Sequence, residues 1–192
     1  MLLRNVLLLV LLVFGLAPAY ATEQINWVVF GALEVGGDKV GVVEFDDGES
    51  DSIKAGELLY VAGGLIIPIS EVFETQLTFG YKTDTVSAEN GDVSFDRFPM
   101  EALVFYRTEQ WRFGGGLNYH LAPTLEGDGF ASAADVDFDN ALGITLEVDY
   151  ALSENGFLGL RTTMIEYELS DFPGEDKVDG DSIGILIGLR DW

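Results

Sequence analysis

The chain has 192 residues, no cysteine, and 33 acidic against 10 basic residues, which gives a formal net charge of -23. The absence of cysteine excludes disulfide bridges and a lipid-modified N-terminal cysteine. The acidic excess argues against nucleic acid as a partner, and it disfavours contact with a bare anionic lipid surface unless divalent cations bridge the two.

Residues 1–21 have the pattern of a secretory signal peptide. Arg4 gives the positive start, an apolar run covers residues 6–16, and Ala19-Tyr20-Ala21 gives a small-x-small cleavage site. The apolar run is about half of the roughly 20 residues that a membrane-spanning helix needs, so we favour a cleaved signal over a membrane anchor. The prediction is a mature chain of one domain, residues 22–192.

Short segments with alternating apolar residues follow along the mature chain. Alternation predicts a strand with one apolar and one polar face, since successive side chains point to opposite sides. It is clearest in 141–152, where Leu142, Ile144, Leu146 and Val148 alternate with polar or small residues. The predicted strands are 25–35, 57–69, 73–81, 98–107, 111–121, 141–152, 157–167 and 182–190. The first two strands are so apolar that the sequence does not show which of their faces is turned toward the lumen.

The connections between these strands alternate between short and long. The short ones are 70–72, 108–110 and 153–155, as in tight hairpins, and the long, acidic ones are 36–56, 82–97, 122–140 and 168–181. A soluble sandwich would turn its apolar faces inward and would have few charges opposite them. We therefore expect an all-β fold, an eight-stranded antiparallel up-and-down transmembrane β-barrel, with extracellular loops and both termini in the periplasm.

Aromatic residues fall near the predicted strand ends, where rings with an apolar body and a wet tip prefer the lipid headgroups. The predicted aromatic girdle lies at two levels. On the side of the short turns it comprises Trp27, Phe73, Tyr106, Trp111, Tyr150, Phe157 and Trp192, and nearer the loops it comprises Tyr81, Phe98, Tyr119 and Tyr167.

The last strand carries the most specific local pattern, Ser182-Ile183-Gly184-Ile185-Leu186-Ile187-Gly188-Leu189. With it, the mature chain resembles the small eight-stranded outer-membrane proteins of the OmpA/OmpX type. The resemblance implies the outer membrane of a Gram-negative bacterium, lipopolysaccharide and other outer-membrane lipids as surroundings, and recognition of Ser182, Gly184, Ile187 and Leu189 by the barrel assembly machinery. Most members end on this signal with an aromatic residue, whereas here Arg190-Asp191-Trp192 follow.

The polar faces of the strands should line the lumen. Charge left unpaired there costs several kcal/mol, so we expect the arginines to pair with Glu101, Glu147 and Asp149. An eight-stranded barrel has little room beyond its own side chains, which favours a filled lumen over an open pore. The predicted lumen residues are Glu74, Gln76, Lys82, Glu101, Arg107, Arg112, Asn118, His120, Glu147, Asp149, Arg161 and Arg190.

Three functions are compatible with this pattern. The first is a non-enzymatic envelope or surface protein that acts through its acidic loops, and the second is a narrow channel for small solutes or apolar molecules. The third is a lipid-modifying barrel enzyme, which the family resemblance brings in because some eight-stranded barrels use a His with a Ser. His120 is the sole histidine, but no Ser lies two residues on and no nucleophile is evident nearby. We expect no enzyme activity and no cofactor.

A short acidic run gives one candidate for divalent cations. Asp135, Asp137 and Asp139 have the spacing that opens a calcium loop, but the required Gly is Asn140 and the twelfth position is Leu146 instead of Glu. A continuation of the sixth strand above the membrane explains the acids better, since they share the inward parity of Glu147 and Asp149. Weak cation binding by these three acids is the alternative that the sequence leaves.

Overall fold

A computed structural model describes residues 24–44, 50–88, 91–127, 135–170 and 177–191. The predicted signal peptide and Trp192 lie outside the described residues. Over the described ranges, no helix is long and apolar enough to cross a membrane. The strands in these ranges are β1 Asn26–Val35, β2 Lys39–Glu44, β3 Ser50–Lys54, β4 Leu58–Pro68, β5 Phe73–Ala88, β6 Gly91–Arg107, β7 Trp111–Gly127, β8 Val136–Asp137, β9 Ala141–Ala151, β10 Gly156–Met164, β11 Glu166–Tyr167, β12 Val178–Asp179 and β13 Ser182–Arg190.

Eight of these strands form a closed antiparallel barrel. They pair in the order β1, β4, β5, β6, β7, β9, β10 and β13. The last strand returns to the first, with a register that runs from Val28 opposite Arg190 to Val35 opposite Ile183. Closure leaves the barrel without an unpaired strand edge, as a membrane would require, since no water is present there to satisfy such an edge. The predicted fold class is confirmed.

The barrel is apolar outside and largely polar inside. On β13, Ile183, Ile185 and Ile187 are about 60 % exposed, while Ser182, Gly184 and Leu186, which alternate with them, are buried. This alternation also fixes the faces of the two strands that the sequence left open. The buried, inward-facing residues are Val28, Phe30, Ala32 and Glu34 on β1, and Tyr60, Ala62 and Ile66 on β4.

Three tight turns close one end of the barrel, called here the turn end. Each turn begins with a hydroxyl residue whose side-chain oxygen accepts a backbone N–H three residues later: Phe73 N to Ser70 Oγ at 3.1 Å, Trp111 N to Thr108 Oγ1 at 3.0 Å, and Gly156 N to Ser153 Oγ at 2.9 Å. Ser and Thr make such turns locally, so the sequence alone fixes them. The predicted short connections are confirmed.

The opposite end, called the loop end, holds more strand than predicted. β5 continues to Ala88, β6 begins at Gly91 and β7 continues to Gly127, so 82–97 is mainly a paired hairpin. The prediction of a loop there is wrong because the alternation persists, with Val86, Val93 and Phe95 buried inside. By contrast, the strand predicted over 157–167 is divided, since β10 ends at Met164.

Ten buried residues at the loop end form one hydrophobic cluster, called here the apolar cap. Its rings meet edge to face, with the centroid of Phe95 at 5.4 Å from that of Phe138 and 5.5 Å from that of Tyr167. The cap comprises Ile53, Ala55, Val86, Val93, Phe95, Leu125, Phe138, Ala141, Ile165 and Tyr167.

The acids of the candidate calcium run lie on the outside of this cap. Phe138 is buried, and Asp135, Asp137 and Asp139 are exposed. The prediction that these acids share the inward parity of the sixth strand is wrong, because β8 and β9 are separate strands and the chain leaves the ladder between them.

Candidate functional site

The charged interior is the candidate site. Burial of unpaired charge is costly, so the composition of the interior must be close to neutral although the whole chain has a net charge of -23. Among the described residues, six carboxylates and five cations are buried. The carboxylates are Glu34, Glu74, Asp84, Glu101, Glu147 and Asp149, and the cations are Lys82, Arg97, Arg112, Arg161 and Arg190.

Near the turn end, two arginines share one glutamate. Arg112 Nη1 lies 2.6 Å from Glu74 Oε1, and Arg112 Nη2 lies 2.5 Å from Asp149 Oδ2. Arg190 Nη1 and Nη2 donate to the two oxygens of Glu74 at 2.7 and 3.0 Å. Arg190 lies on β13 and Glu74 on β5, so this pair crosses the lumen and does not follow the wall.

In the middle of the barrel, Arg161 joins three carboxylates from three other strands. Its Nε lies 3.2 Å from Glu34 Oε1 and its Nη1 lies 3.4 Å from Glu147 Oε2, and its Nη2 pairs with Glu101. Asn118 and Thr78 also donate to Glu101, each at 3.2 Å. One guanidinium therefore holds together the walls formed by β1, β6, β9 and β10.

Below the apolar cap, the cations have different partners. Lys82 Nζ lies 2.6 Å from Glu34 Oε2, which also accepts a hydrogen bond from Ser182 Oγ at 2.6 Å. Arg97 donates to the backbone carbonyls of Ala55 at 2.7 Å, of Glu57 at 2.9 Å and of Phe95 at 2.8 Å. Arg97 thus fastens the segment after β3 to β6.

His120 lies in the same region and is 1 % exposed. Its Nδ1 lies 2.5 Å from the hydroxyl of Tyr167. One nitrogen of the imidazole is therefore engaged by a buried phenol, beneath the apolar cap.

Most predicted lumen residues lie inside, and Arg107 is the exception. Its side chain is 27 % exposed at the turn end, 3.8 Å from Glu74. Three of the buried charges were not predicted: Glu34, Asp84 and Arg97. Glu34 lies on a strand whose face was open, and the other two lie in the hairpin taken as a loop. The signal that could have found them is the alternation that continues through Lys82, Asp84 and Val86.

The predicted aromatic girdle divides into two groups. Tyr150 is half-buried on the outward parity, and seven other rings are exposed on the outer wall: Trp27, Phe73, Tyr81, Phe98, Tyr106, Trp111 and Tyr119. Phe157 and Tyr167 are fully buried instead, so their assignment to the girdle is wrong. Phe157 shares the inward parity of Gly159 and Arg161, and its ring faces Arg112.

The residues of the predicted assembly signal lie on both faces of β13. Ser182 and Gly184 face the interior, whereas Ile187 and Leu189 are exposed on the wall. Their recognition during assembly stays a prediction. Within the described ranges, no group of three or more His, Asp or Glu side chains is placed to hold a metal ion.

Comparison with known proteins gives the fold. No protein-family model matches the sequence. No curated protein matches it either. Among solved structures, Ail of Yersinia pestis, in complex with the heparin analogue sucrose octasulfate, is similar with a TM-score of 0.53 and 13 % identity over 88 % of this chain and 99 % of that chain. Neisserial surface protein A has a TM-score of 0.47 and 17 % identity over 86 % and 95 %. The chain has the fold of the small eight-stranded outer-membrane barrels of the OmpA/OmpX type.

Proposed function

We propose that this chain is a non-enzymatic structural barrel of the Gram-negative outer membrane, whose interior is filled and whose contacts are made by its acidic loops. One observation carries the proposal: ion pairs cross the lumen at three levels. These pairs are Arg190 with Glu74, Arg161 with Glu101, and Lys82 with Glu34. Because these pairs join strands that are two or three positions apart around a narrow barrel, their side chains fill the lumen and obstruct the path of an ion or solute.

The apolar cap supports the same proposal from above. Its buried side chains come from β3, β5, β6, β7, β9 and β11 and from the segments beside these strands and β8, and they lie over the charged interior. A solute that entered from the loop end would first have to separate these packed side chains.

The proposed orientation places the loop end outside the cell and both chain termini on the periplasmic side. Short turns at one end and long acidic connections at the other are typical of outer-membrane barrels. The acidic loops would then face lipopolysaccharide, which also carries negative charge, so divalent cations are the natural bridge between the two.

The environment of His120 supports a non-enzymatic role. A base that activates a nucleophile on a lipid must lie within hydrogen-bonding distance of that nucleophile and be open to the substrate. His120 is buried and hydrogen-bonded to Tyr167. Incubation with lipid A, followed by mass spectrometry, should leave the lipid unchanged. A mass change that is lost in His120→Ala would contradict the proposal.

Conductance in a planar bilayer tests the filled interior. We expect no steady openings for the wild-type barrel, since the crossing pairs and the apolar cap close the path. Arg112→Ala and Glu147→Ala remove side chains from the charged interior, and Thr85→Ala is the exposed control. Steady wild-type openings that shift with the two interior substitutions, but not with the control, would replace this proposal with a narrow channel.

A further inference from the structure

The barrel wall divides near the loop end, between β9 and β10. Their pairing reaches Ile144 opposite Met164 and stops there. Beyond this point, the chain after β10 turns toward β13, since Ile165 N donates to Asp181 Oδ1 at 2.8 Å and β11 pairs with β12. The two sides meet again where Phe138 pairs with Leu169. The ladder is therefore interrupted over a short length of wall.

A groove of about 770 Å³ occupies this interruption, and we call it the wall groove. Its floor is formed by side chains that point away from the barrel axis, from β7, β9 and β10. These are Leu117, Leu142, Ile144 and Met164, each between 41 and 57 % exposed. Ala141 and Ile165 also line the groove, and both belong to the apolar cap. The apolar floor thus reaches through the wall to the buried cap.

The wall groove lies at the predicted boundary between membrane and water. Leu142 is directly opposite Tyr119, one of the exposed rings at the loop end. Such rings mark the level of the lipid headgroups. The floor therefore faces hydrocarbon, and the side of the groove nearer the loops faces water.

That outer side is lined by charge, and we call it the acidic rim. It comprises Asp139, Glu166, Glu168, Asp181 and one cation, Lys177. Lys177 Nζ lies 2.9 Å from Glu166 Oε2 and 3.3 Å from Glu168 Oε1, and its hydrogen bonds to these two carboxylates raise the pKa of Lys177. The lysine stays charged and already has acidic neighbours, so the rim carries an excess of three negative charges.

We propose that the wall groove binds a cationic amphiphile, with its alkyl chain on the apolar floor and its ammonium group at the acidic rim. The floor offers an apolar surface to the alkyl chain at the level where the hydrocarbon begins, and the rim attracts the positive charge beside it. The same rim repels the phosphate groups of anionic lipids. The inference is independent of conduction, because the groove opens on the outer wall and not into the lumen.

Dodecyltrimethylammonium is a suitable probe, titrated below its micelle concentration into the full mature barrel in zwitterionic nanodiscs. Calorimetry should show saturable binding of one probe per barrel, above the partition into empty nanodiscs. The combined substitution Glu166→Gln with Glu168→Gln should weaken binding roughly fivefold to tenfold, as expected for two exposed charges. The matched control is Glu109→Gln with Glu154→Gln, two acids in turns at the other end, and it should leave binding unchanged.

A second variant tests the floor. Met164→Trp fills the groove from the lipid-facing side and should abolish saturable binding, while the shift of the folded band in unheated gels shows that the barrel is intact. Dodecyl maltoside and dodecyl phosphate should bind more weakly than the ammonium probe. Three results would overturn the proposal. They are partition equal to that of empty nanodiscs, an equal loss of binding in the turn-end control, and equal binding of the phosphate probe.

Discussion

Arg112 illustrates how single residues stabilise the interior. Its guanidinium pairs with Glu74 and Asp149, lies 4.0 Å from Glu147, and stacks over the ring of Phe105 with its central carbon 4.0 Å from the centroid. Glu74 also pairs with Arg190 and Glu147 also pairs with Arg161, whereas the short ion pair of Asp149 is made with Arg112. The loss of Arg112 therefore weakens the pairing of all three carboxylates, and that of Asp149 most.

We expect Arg112→Met to destabilise the barrel by about 3 to 5 kcal/mol, the usual effect of removing one partner of a buried ion pair. The measurement is urea unfolding of the barrel refolded in lipid vesicles. Lys177→Met is the control, because this lysine makes its ion pairs on the surface. An Arg112→Met barrel as stable as the control would show that the interior pairs contribute little.

Close approach of neighbouring strands also limits which side chains fit at single positions. A Cβ atom on Gly80 would lie 2.4 Å from the carbonyl oxygen of Val61 and 2.6 Å from the ring of Tyr60. On the outer wall, a Cβ atom on Gly63 would lie 3.6 Å from the nearest atom, the oxygen of Val28. The interior therefore excludes a side chain that the wall accepts.

We predict that Gly80→Ala destabilises the barrel by about 1 to 3 kcal/mol, since an overpacked interior must shift its backbone. The same unfolding experiment should show Gly63→Ala close to wild type. The two glycines are on adjacent strands. An equal loss of stability at both positions would therefore contradict the difference in available space between the interior and the wall.

The side of the barrel wall on which a residue lies was predictable only in strands with one polar face. Glu147 and Arg161 alternate with apolar residues, and the sequence placed both inside. Glu34 lies among apolar residues on both faces, so its facing needed the pairing of β1 with β13. The assignment of Phe157 was wrong because nearness to a strand end does not determine the side on which a ring lies.

The β2–β3 hairpin is held against the barrel by a small set of contacts near its end. Ile53 and Ala55 are fully buried in the apolar cap, and Arg97 binds the carbonyls of Ala55 and Glu57. Lys54 N also donates to Asp84 Oδ2 at 2.8 Å. These contacts hold the end of the hairpin against β5 and β6.

Arg97→Met should release this hairpin while the barrel stays folded, since the guanidinium supplies both hydrogen bonds to the segment after β3. Limited proteolysis should cut the β2–β3 region faster than in wild type, and hydrogen exchange should rise there alone. Arg107→Met at the turn end is the matched control. Unchanged cleavage in Arg97→Met would mean that Ile53 and Ala55 suffice to anchor the hairpin.

The core of each barrel strand could be predicted, and the alternation through Lys82, Asp84 and Val86 indicates that β5 continues, but the residues at which the strands end on the loop side could not be predicted. Alternation and the hydroxyl turns define the strands on the turn side. At the loop end, β5 and β6 continue because Val86, Val93 and Phe95 pack in the apolar cap, and the cap is assembled from distant segments. The end of β10 at Met164 depends likewise on Asp181, which is remote in sequence.

At the scale of the whole molecule, charge and hydrophobicity are distributed by region. The interior holds nearly balanced charge, the wall is apolar, and the large acidic excess lies mainly in the connections at the loop end. Such a distribution is the one that a strongly acidic chain needs in order to cross a bilayer as a barrel, because hydrocarbon would meet apolar side chains while the buried carboxylates and cations nearly balance.

Because the chain has no cysteine, single cysteines report directly on whether the interior is filled. Thr145 is fully buried and donates or accepts at 3.2 Å with Thr163 on the next strand. In vesicles, Thr145→Cys should resist a charged methanethiosulfonate reagent, while the exposed Thr85→Cys and Thr108→Cys at the two ends react readily. Reaction of Thr145→Cys at the rate of these exposed sites would reveal a water-filled lumen and contradict the account.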